Sequence, residues 1–382
     1  MSKMFHFPTR VMMHVGAIRA LPAELDVRGM RHVLLVTDRN LAAANDLPNK
    51  VAALLGPRCA AVYDGVVSEP TLDHVQEGHR LTRNAVVDGI VSVGGGSVID
   101  CAKGIAATMR AKTSLKPGGA SFFLEGPAPS HFAIPTTAGS GSEVSAAAML
   151  FDPASGRKSL YFDPYITPRM AILDAELTVS MPPKLTATAG LDALCHSVEA
   201  LVSKSATPFS NALAHESMGV IIENLSVCCE DGGNVKAREA MLIAASMAGA
   251  AFVNAGLGII HSLAHAIGAV TNMPHGTLCG ALLPHCVRFN VAREPESCAP
   301  VAHAMGIDTS HLGPRMACEA ASAAVDRLVE KLGLPTKLRD VGVKREDFPR
   351  IAELALVDPC LKTNPRAITR ADELLPLMES AY

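Results

Sequence analysis

What most restricts the fold of this chain is a change of hydrophobic period at its middle. Short β-branched runs alternate with amphipathic stretches as far as Pro182-Pro183, and beyond that pair the strand signal stops. The alternating half reads as a parallel sheet with crossover helices. Strands are expected over 32–37, 60–63, 89–93, 131–134, near 159–162 and over 170–173. Helices are expected over 41–55, interrupted at Pro48, and over 72–83 and 98–109, with loops at 116–119 and 126–129. The second half carries Ala-rich helical periodicity over 187–202, 209–224, 237–252, 318–332 and 372–378. The expectation is an α/β amino-terminal domain, 1–182, followed by an all-α carboxy-terminal domain, 183–382.

Composition agrees with two packed bodies. At 382 residues the chain exceeds a typical single core, and with 49% hydrophobic and 19% charged residues it has little material for disordered tails. A formal charge of −3 supplies no basic footprint for nucleic acid and no polybasic patch for a membrane surface. The ten cysteines are scattered and form no C-x-x-C, which suits reduced thiols, and the start lacks a leader pattern, so a cytoplasmic location is expected. One uncharged run, Ala240 to Ile260, is long enough to span a bilayer. It is built on Ala and Gly, contains Ser246 and Asn254, and leads into histidines, so a buried helix of the helical domain is the expectation instead.

Three glycines, Gly94-Gly95-Gly96, lie between a buried strand and a helix, with Ser97 expected at the N-cap. Such a loop lets a pyrophosphate approach the backbone closely, and the helix end favours its charge. A plain strand-to-helix turn is the simpler alternative. The pattern is not the G-x-G-x-x-G fingerprint, because the glycines follow the third strand and the candidate acid, Asp38, ends the first. Asp38 would accept hydrogen bonds from an adenosine ribose and repel a 2′-phosphate, which predicts NAD over NADP, although the adjacent Arg39 is a residue type that receives such a phosphate. The loop Pro135 to Val144, with Thr136 and Thr137, offers neutral donors to a phosphate or a nicotinamide amide.

The helical half holds the metal-type pattern. Asp192 and His196 stand at i and i+4, His261 and His265 repeat that spacing, and His275 follows His261 by fourteen residues. Any one of these histidines alone is more often a satisfied polar side chain. Together, three imidazoles and a carboxylate make a site for a divalent first-row ion. Spacing leaves open whether His261 or His265 binds, and whether the ion is Fe²⁺ or Zn²⁺.

These residues resemble the iron-containing, or group III, alcohol dehydrogenases, including their lactaldehyde-reductase-like members. The resemblance runs from Pro8-Thr9-Arg10 to Asn364-Pro365-Arg366 and rests on Gly94 to Asp100 with Lys103, the 135–144 loop, Gly190 to His196, and His261, His265 and His275 in family order. It implies a dehydroquinate-synthase-like architecture with a dinucleotide-binding amino-terminal domain and a metal-binding carboxy-terminal one. It implies that Asp192, His196, His261 and His275 hold Fe²⁺, with Zn²⁺ possible, and that His265 sits near the nicotinamide without coordinating. Cofactor roles are implied for Asp38, Gly95, Gly96, Ser97, Thr136, Thr137, Lys158 and Leu177, and Asp100 of the glycine motif is grouped with them. Phe252 and Cys360 match substrate-pocket positions. Ala147 replaces a pocket asparagine of the lactaldehyde reductases and Glu69 replaces the asparagine of their Asn-Pro-Thr turn, so lactaldehyde is not carried over as substrate.

The implied reaction is hydride transfer between NAD and a small primary alcohol or aldehyde, with the metal as Lewis acid and His265 relaying the hydroxyl proton. A homodimer or larger homo-oligomer is implied as well. Rival readings are a glycerol-dehydrogenase-like or maleylacetate-reductase-like enzyme on the same scaffold, an NAD-assisted lyase of the dehydroquinate-synthase type, and a non-catalytic binding protein. The fourth ligand position and the complete 135–144 loop argue against the first two.

Overall fold

The strand Val33–Val36 (β2) is buried at every position, and its side chains divide between two cores. Leu34 and Val36 pack with Val75, Ile90, Ile105 and Tyr161, whereas Val33 and Leu35 pack with Leu21, Leu25, Val51, Leu55 and Phe132. A strand apolar on both faces requires a layer on each side, which is the condition for an interior strand of a parallel sheet. The computed structural model describes residues 4–111, 115, 120–121, 124, 126–154 and 157–382, so the loop expected at 116–119 lies outside the described residues.

The sheet contains Arg10–Met13 (β1), β2, Cys59–Tyr63 (β3), Gly89–Gly94 (β4), Ser130–Pro135 (β6) and Met170–Leu173 (β9) in the order β1-β9-β6-β4-β2-β3, all parallel. A second, three-stranded sheet joins Ala120–Ser121 (β5), Ala147–Asp152 (β7) and Arg157–Phe162 (β8), with β7 and β8 antiparallel. One face of the large sheet is covered by Leu21–Val27 (α1) and Leu47–Leu55 (α3), the other by Leu72–Asn84 (α4) and Gly96–Arg110 (α5). The single interrupted helix expected over 41–55 is two helices, Arg39–Asn45 (α2) and α3. Asp46, with φ of 56°, ends the first, and Pro48 sits in the first turn of the second, where its missing N–H costs nothing.

The helices of the second half are Pro183–Val202 (α6), Pro208–Glu230 (α7), Val235–Ala255 (α8), Ile259–Thr271 (α9), His275–Val291 (α10), Pro295–Ala304 (α11), Pro314–Lys331 (α12), Phe348–Leu356 (α13) and Leu375–Ser380 (α14). α6 packs against α7 and α10, and α10 against α9 and α12. The uncharged run over 240–260 is not one helix: α8 and α9 meet at a 99° bend around Gly256, whose φ is +80°. No single helix among the described residues is long and apolar enough to cross a membrane.

The chain divides into two compact units. The sheet unit is Phe7–Met181 with Gly232–Ser246; the helical unit is the stretch ending at His6, Pro182–Asp231 and Met247–Tyr382. A single cut after residue 182 therefore leaves Gly232–Ser246 with the wrong partner. That segment is bound to the sheet unit by polar contacts that hydrophobic periodicity does not register. The Arg238 guanidinium donates to the Met181 carbonyl at 3.2 Å, and the Ser246 hydroxyl donates to the buried Glu143 carboxylate.

One side chain of the sheet makes a pH-dependent contribution to stability. His131 on β6 is buried, with Nε2 2.7 Å from the Ser92 hydroxyl on β4. Burial, reinforced by the Lys103 charge, depresses its pKa to about 3. The unfolded chain therefore binds the proton more tightly than the folded one. The stabilisation is intact above about pH 6.5 and is lost between about 6.5 and 3, at up to roughly 1.4 kcal/mol per pH unit. A His131→Gln variant is expected to lose stability at neutral pH yet to show a flatter decline over that window in denaturant titrations. An unchanged slope would remove His131 as the source.

Candidate functional site

In the sheet unit, the residues expected to hold a nucleotide gather at the carboxyl edge of the parallel strands. β2 has β3 on one side and β4 on the other, so the direction of strand order reverses there, and open parallel sheets bind ligands at such a reversal. The Thr37 hydroxyl, just past β2, donates to the Val93 carbonyl at 3.0 Å and ties the two strand ends together. Gly95 and Gly96 follow β4, and Thr136 and Thr137 follow β6, with Thr136 N–H donating to the Gly94 carbonyl at 3.0 Å. A Cβ on Gly96 would lie 2.5 Å from the Ser140 hydroxyl, so glycine is what lets the two loops meet.

Several side chains at this edge differ from the sequence expectation. Gly95, not Ser97, is the N-cap of α5 and offers no side-chain hydrogen bond; Ser97 lies within the first turn and donates to the Ser68 carbonyl at 2.5 Å. Glycine at the cap leaves first-turn N–H groups for an external acceptor. Asp38 caps α2, accepting from Leu41 N–H at 2.9 Å, and Arg39 is turned to Asp64 at 3.3 Å. Lys158 pairs with Glu69 at 3.1 Å, and Leu177 packs against the Val33, Leu35 and Phe132 core.

Asp100 spends both oxygens on the protein. One accepts from Ser142 and from Lys103 Nζ, the other from Met149 N–H at 2.9 Å. Lys103 is fully buried, and its ammonium also donates to the Ser142 and Ser145 hydroxyls at 2.7 and 3.0 Å and to the Ala147 carbonyl at 2.6 Å. Burial pulls the Lys103 pKa down, and the Asp100 and Glu143 carboxylates push back. Asp100 and Lys103 thus hold the 135–147 segment in place from beneath. Ala147 opens β7 and contributes its carbonyl to that network.

In the helical unit, Asp192 Oδ1 on α6 stands 3.9 Å from His196 Nε2, 3.6 Å from His261 Nε2 on α9 and 3.5 Å from His275 Nε2 on α10. These separations are too long for hydrogen bonds. They suit donors sharing one ion, since bonds of about 2.0–2.2 Å at tetrahedral angles place ligand atoms roughly 3.4 Å apart. The buried Asp192 Oδ1 and His261 Nε2 make no hydrogen bond among the described residues, an arrangement that is costly unless something else occupies the gap. The residues fit a divalent cation.

Helix geometry explains the convergence. A Cβ on Gly276 would lie 2.4 Å from the Thr188 carbonyl oxygen, so glycine alone allows the start of α10 to close on α6 and bring His275 to Asp192. Burial raises the Asp192 pKa, but the surrounding His196, His275 and His261 outweigh it and hold the carboxylate well below its usual range. For His261 burial favours the neutral ring, while Glu199 and Asp192 win and, without an ion, hold its pKa up at about 10.

Glu199 was missed in the sequence. Its Oε2 is 2.6 Å from His261 Nδ1, its Oε1 accepts from Ile260 N–H at 2.6 Å, and it is 3% exposed. It fixes the ring so that Nε2 faces Asp192. The signal was present: Asp192, His196 and Glu199 follow i, i+4, i+7 on one face of α6. A Glu199→Gln variant is expected to bind the ion roughly 10–100-fold more weakly, measured by chelator competition; unchanged affinity would deny it the orienting role.

His265 stands apart from the ion-type cluster. Its Nδ1 lies 2.9 Å from Asp358 Oδ2, and the ring stacks on His275 at 5.1 Å. Cys360, whose N–H donates to Asp358 Oδ1 at 2.8 Å, groups with these two, and Phe252 stacks on His196 at 4.4 Å. Cys279, another residue outside the sequence expectation, brings its thiol among the donors. Asp192, His261, His275 and Cys279 each present a ligand atom within 4.8 Å of the others.

Known proteins match this chain over both units. Residues 8–175 match the family described as iron-containing alcohol dehydrogenase, and residues 186–382 match the carboxy-terminal part of the Fe-containing alcohol dehydrogenase family. The 1,3-propanediol dehydrogenase of Klebsiella pneumoniae is 38% identical over 92% of each chain, and the lactaldehyde reductase of Escherichia coli (strain K12) is 35% identical over 96% of each. The solved alcohol dehydrogenase from Oenococcus oeni covers 100% of both chains at 31% identity with a TM-score of 0.96. A carboxylate facing three imidazoles on helices that follow a parallel α/β unit, together with matches of this extent, establishes the chain as a member of the iron-containing alcohol dehydrogenase family, an oxidoreductase.

Proposed function

We propose that this protein is an NAD-dependent, metal-dependent alcohol dehydrogenase or aldehyde reductase acting on a small primary alcohol or aldehyde. The observation that carries the reading is the approach of Asp192 Oδ1 to three imidazole nitrogens at 3.5–3.9 Å, without a hydrogen bond to it or to His261 Nε2. Asp192, His196, His261 and His275 would hold the ion, Fe²⁺ by family and Zn²⁺ by the same donor chemistry. Such an ion, when bound, polarises the substrate oxygen, and the nicotinamide accepts or supplies the hydride.

The chain's own residues do the rest. First-turn amides after Gly95 bind the pyrophosphate, and Thr136 and Thr137 supply hydroxyls beside it. Asp38 faces the ribose, and the engagement of Arg39 with Asp64 removes the nearest partner for a 2′-phosphate, which favours NAD. Asp358 holds His265 by Nδ1, so that Nε2 is the atom that takes the hydroxyl proton and passes it to water. Phe252 and Cys360 line the substrate pocket in this reading.

The test is a panel of short primary alcohols and aldehydes offered to the metal-reconstituted protein with NAD or NADH. Steady change in NADH absorbance with at least one is expected. Silence with all of them would overturn the reading in favour of a lyase that regenerates NAD internally, or of a binding protein.

A further inference from the structure

We infer that His215 and His303 form a second metal site in the helical unit, a surface clamp of two imidazoles that takes a divalent first-row ion of the Zn²⁺, Ni²⁺ or Cu²⁺ type and fastens α11 to α7. The site shares no residue with the Asp192 centre.

The geometry is that of a ligand pair. The two rings stand with their centroids 5.2 Å apart and their planes inclined at 50°. His261 and His275, whose nitrogens face Asp192 from α9 and α10, stand 5.3 Å apart at 51°. Imidazoles whose nitrogens lie about 2.0–2.1 Å from one tetrahedral ion place their centroids roughly 5 Å apart, so both pairs have the span that a shared ion requires. An inclination of 50° is also neither the parallel stack nor the edge-on contact that attraction between aromatic rings favours.

Helix packing brings the rings together. His215 and Gly219 stand at i and i+4 on one row of α7. A Cβ on Gly219 would lie 3.7 Å from the carbonyl oxygen of Ala304, the residue after His303, so this row faces the end of α11. Asn211 stands one turn before His215 in the same row, and its buried Oδ1 makes no hydrogen bond among the described residues. Helical spacing thus puts an oxygen donor on the side of α7 that carries the imidazole.

Neither ring is spent on the protein. Among the described residues no hydrogen bond or ion pair engages the side chain of His215 or His303; their contact is with each other. His303 is exposed and His215 half-buried, so an ion enters from solvent, exchanges two of its waters for the two ring nitrogens and keeps water at its other positions. Neutral imidazole suits Zn²⁺, Ni²⁺ and Cu²⁺. Two imidazoles bring no negative charge, whereas the Asp192 centre brings one, so the surface site fills second as the ion concentration is raised.

The test is equilibrium dialysis of the full-length protein against rising Zn²⁺, with ions per chain counted by elemental analysis. The unaltered chain is expected to saturate at two ions. His303→Gln and His215→Gln are each expected to bind one ion fewer and to keep the NADH-linked turnover of the unaltered protein. The difference decides: a variant that binds as many ions as the unaltered chain overturns the inference, whatever the total. A single ion that is lost in both variants supports the surface site and overturns the Asp192 centre instead.

Should a variant fail to fold, modification of the unaltered protein with diethyl pyrocarbonate decides, read residue by residue by peptide mass. Zn²⁺ is expected to protect His215 and His303 together while leaving the exposed His32 of the sheet unit reactive. Failure to protect both rings ends the inference.

Discussion

Turnover is expected to fall by roughly 10²–10⁴-fold, with the bound metal unchanged, when His265 is replaced by asparagine. The reason is the division of labour among the four clustered histidines. His196, His261 and His275 turn a nitrogen toward Asp192, whereas His265 gives Nδ1 to Asp358 at 2.9 Å. The His265 ring is therefore outside the group whose nitrogens face Asp192 and touches that group through the stack on His275. Burial raises the Asp358 pKa, but His265 outweighs it and keeps the carboxylate ionised, and the Cys360 N–H fixes its second oxygen. Asp358→Asn should lower turnover in the same direction by a smaller factor, because the ring remains but its orientation is less constrained. Metal content by elemental analysis and kcat by NADH absorbance give the two readouts. A His265→Asn protein that turns over normally would leave the proton without its proposed carrier, and one that loses its metal would move His265 into the ligand set.

The second large effect is on stability. Lys103→Met is expected to destabilise the sheet unit by roughly 3–5 kcal/mol, the usual consequence of removing one partner from a buried pair. The side-chain volume is kept nearly constant, so the loss is electrostatic rather than steric. Four oxygens lose the ammonium as a donor: those of Asp100, Ser142, Ser145 and Ala147. Asp100→Asn in the same background should cost much less than it does alone, since the two act as one unit. Denaturant unfolding of both single variants and the double variant measures the coupling. Fully additive losses would mean that the pair does not behave as a network.

The large sheet was readable because its strands obey a simple rule: β2 and β9 are continuous apolar runs, β4 and β6 are apolar apart from Ser92, Ser130 and His131, and each is followed by turn residues. β1 and β7 were not. Arg10-Val-Met-Met13 has a single β-branched residue and exposed ends, so it does not stand out, and Ala147 to Asp152 becomes a strand only by antiparallel pairing with β8. At the site, residue type and spacing marked Asp192, His196, His261, His265 and His275 as candidates, and only the family resemblance chose His261 over His265. Glu199 was passed over although it completes the i, i+4, i+7 row on α6, because its role appears only when α9 brings His261 against it, and Cys279, four residues after His275 on α10, is not distinguished in sequence from a packed thiol. The protein partners of Asp100 were hidden for a related reason. Its motif marks the loop, but which side of the loop its carboxylate serves depends on Lys103 and Met149, whose proximity comes from the fold.

The order in which the chain leaves a ribosome gives the division into units a further meaning. The sheet unit is not complete at residue 181, because Gly232–Ser246, with the partners of Met181 and Glu143, is made only after α6 and α7. Domains of a nascent chain fold as units once all their parts have emerged. Here the amino-terminal unit must wait, with the Glu143 carboxyl lacking its Ser246 partner, until much of its neighbour has been synthesised. A fragment ending at the sequence boundary would stay in that waiting condition, so neither half of this enzyme is a natural product of a single cut.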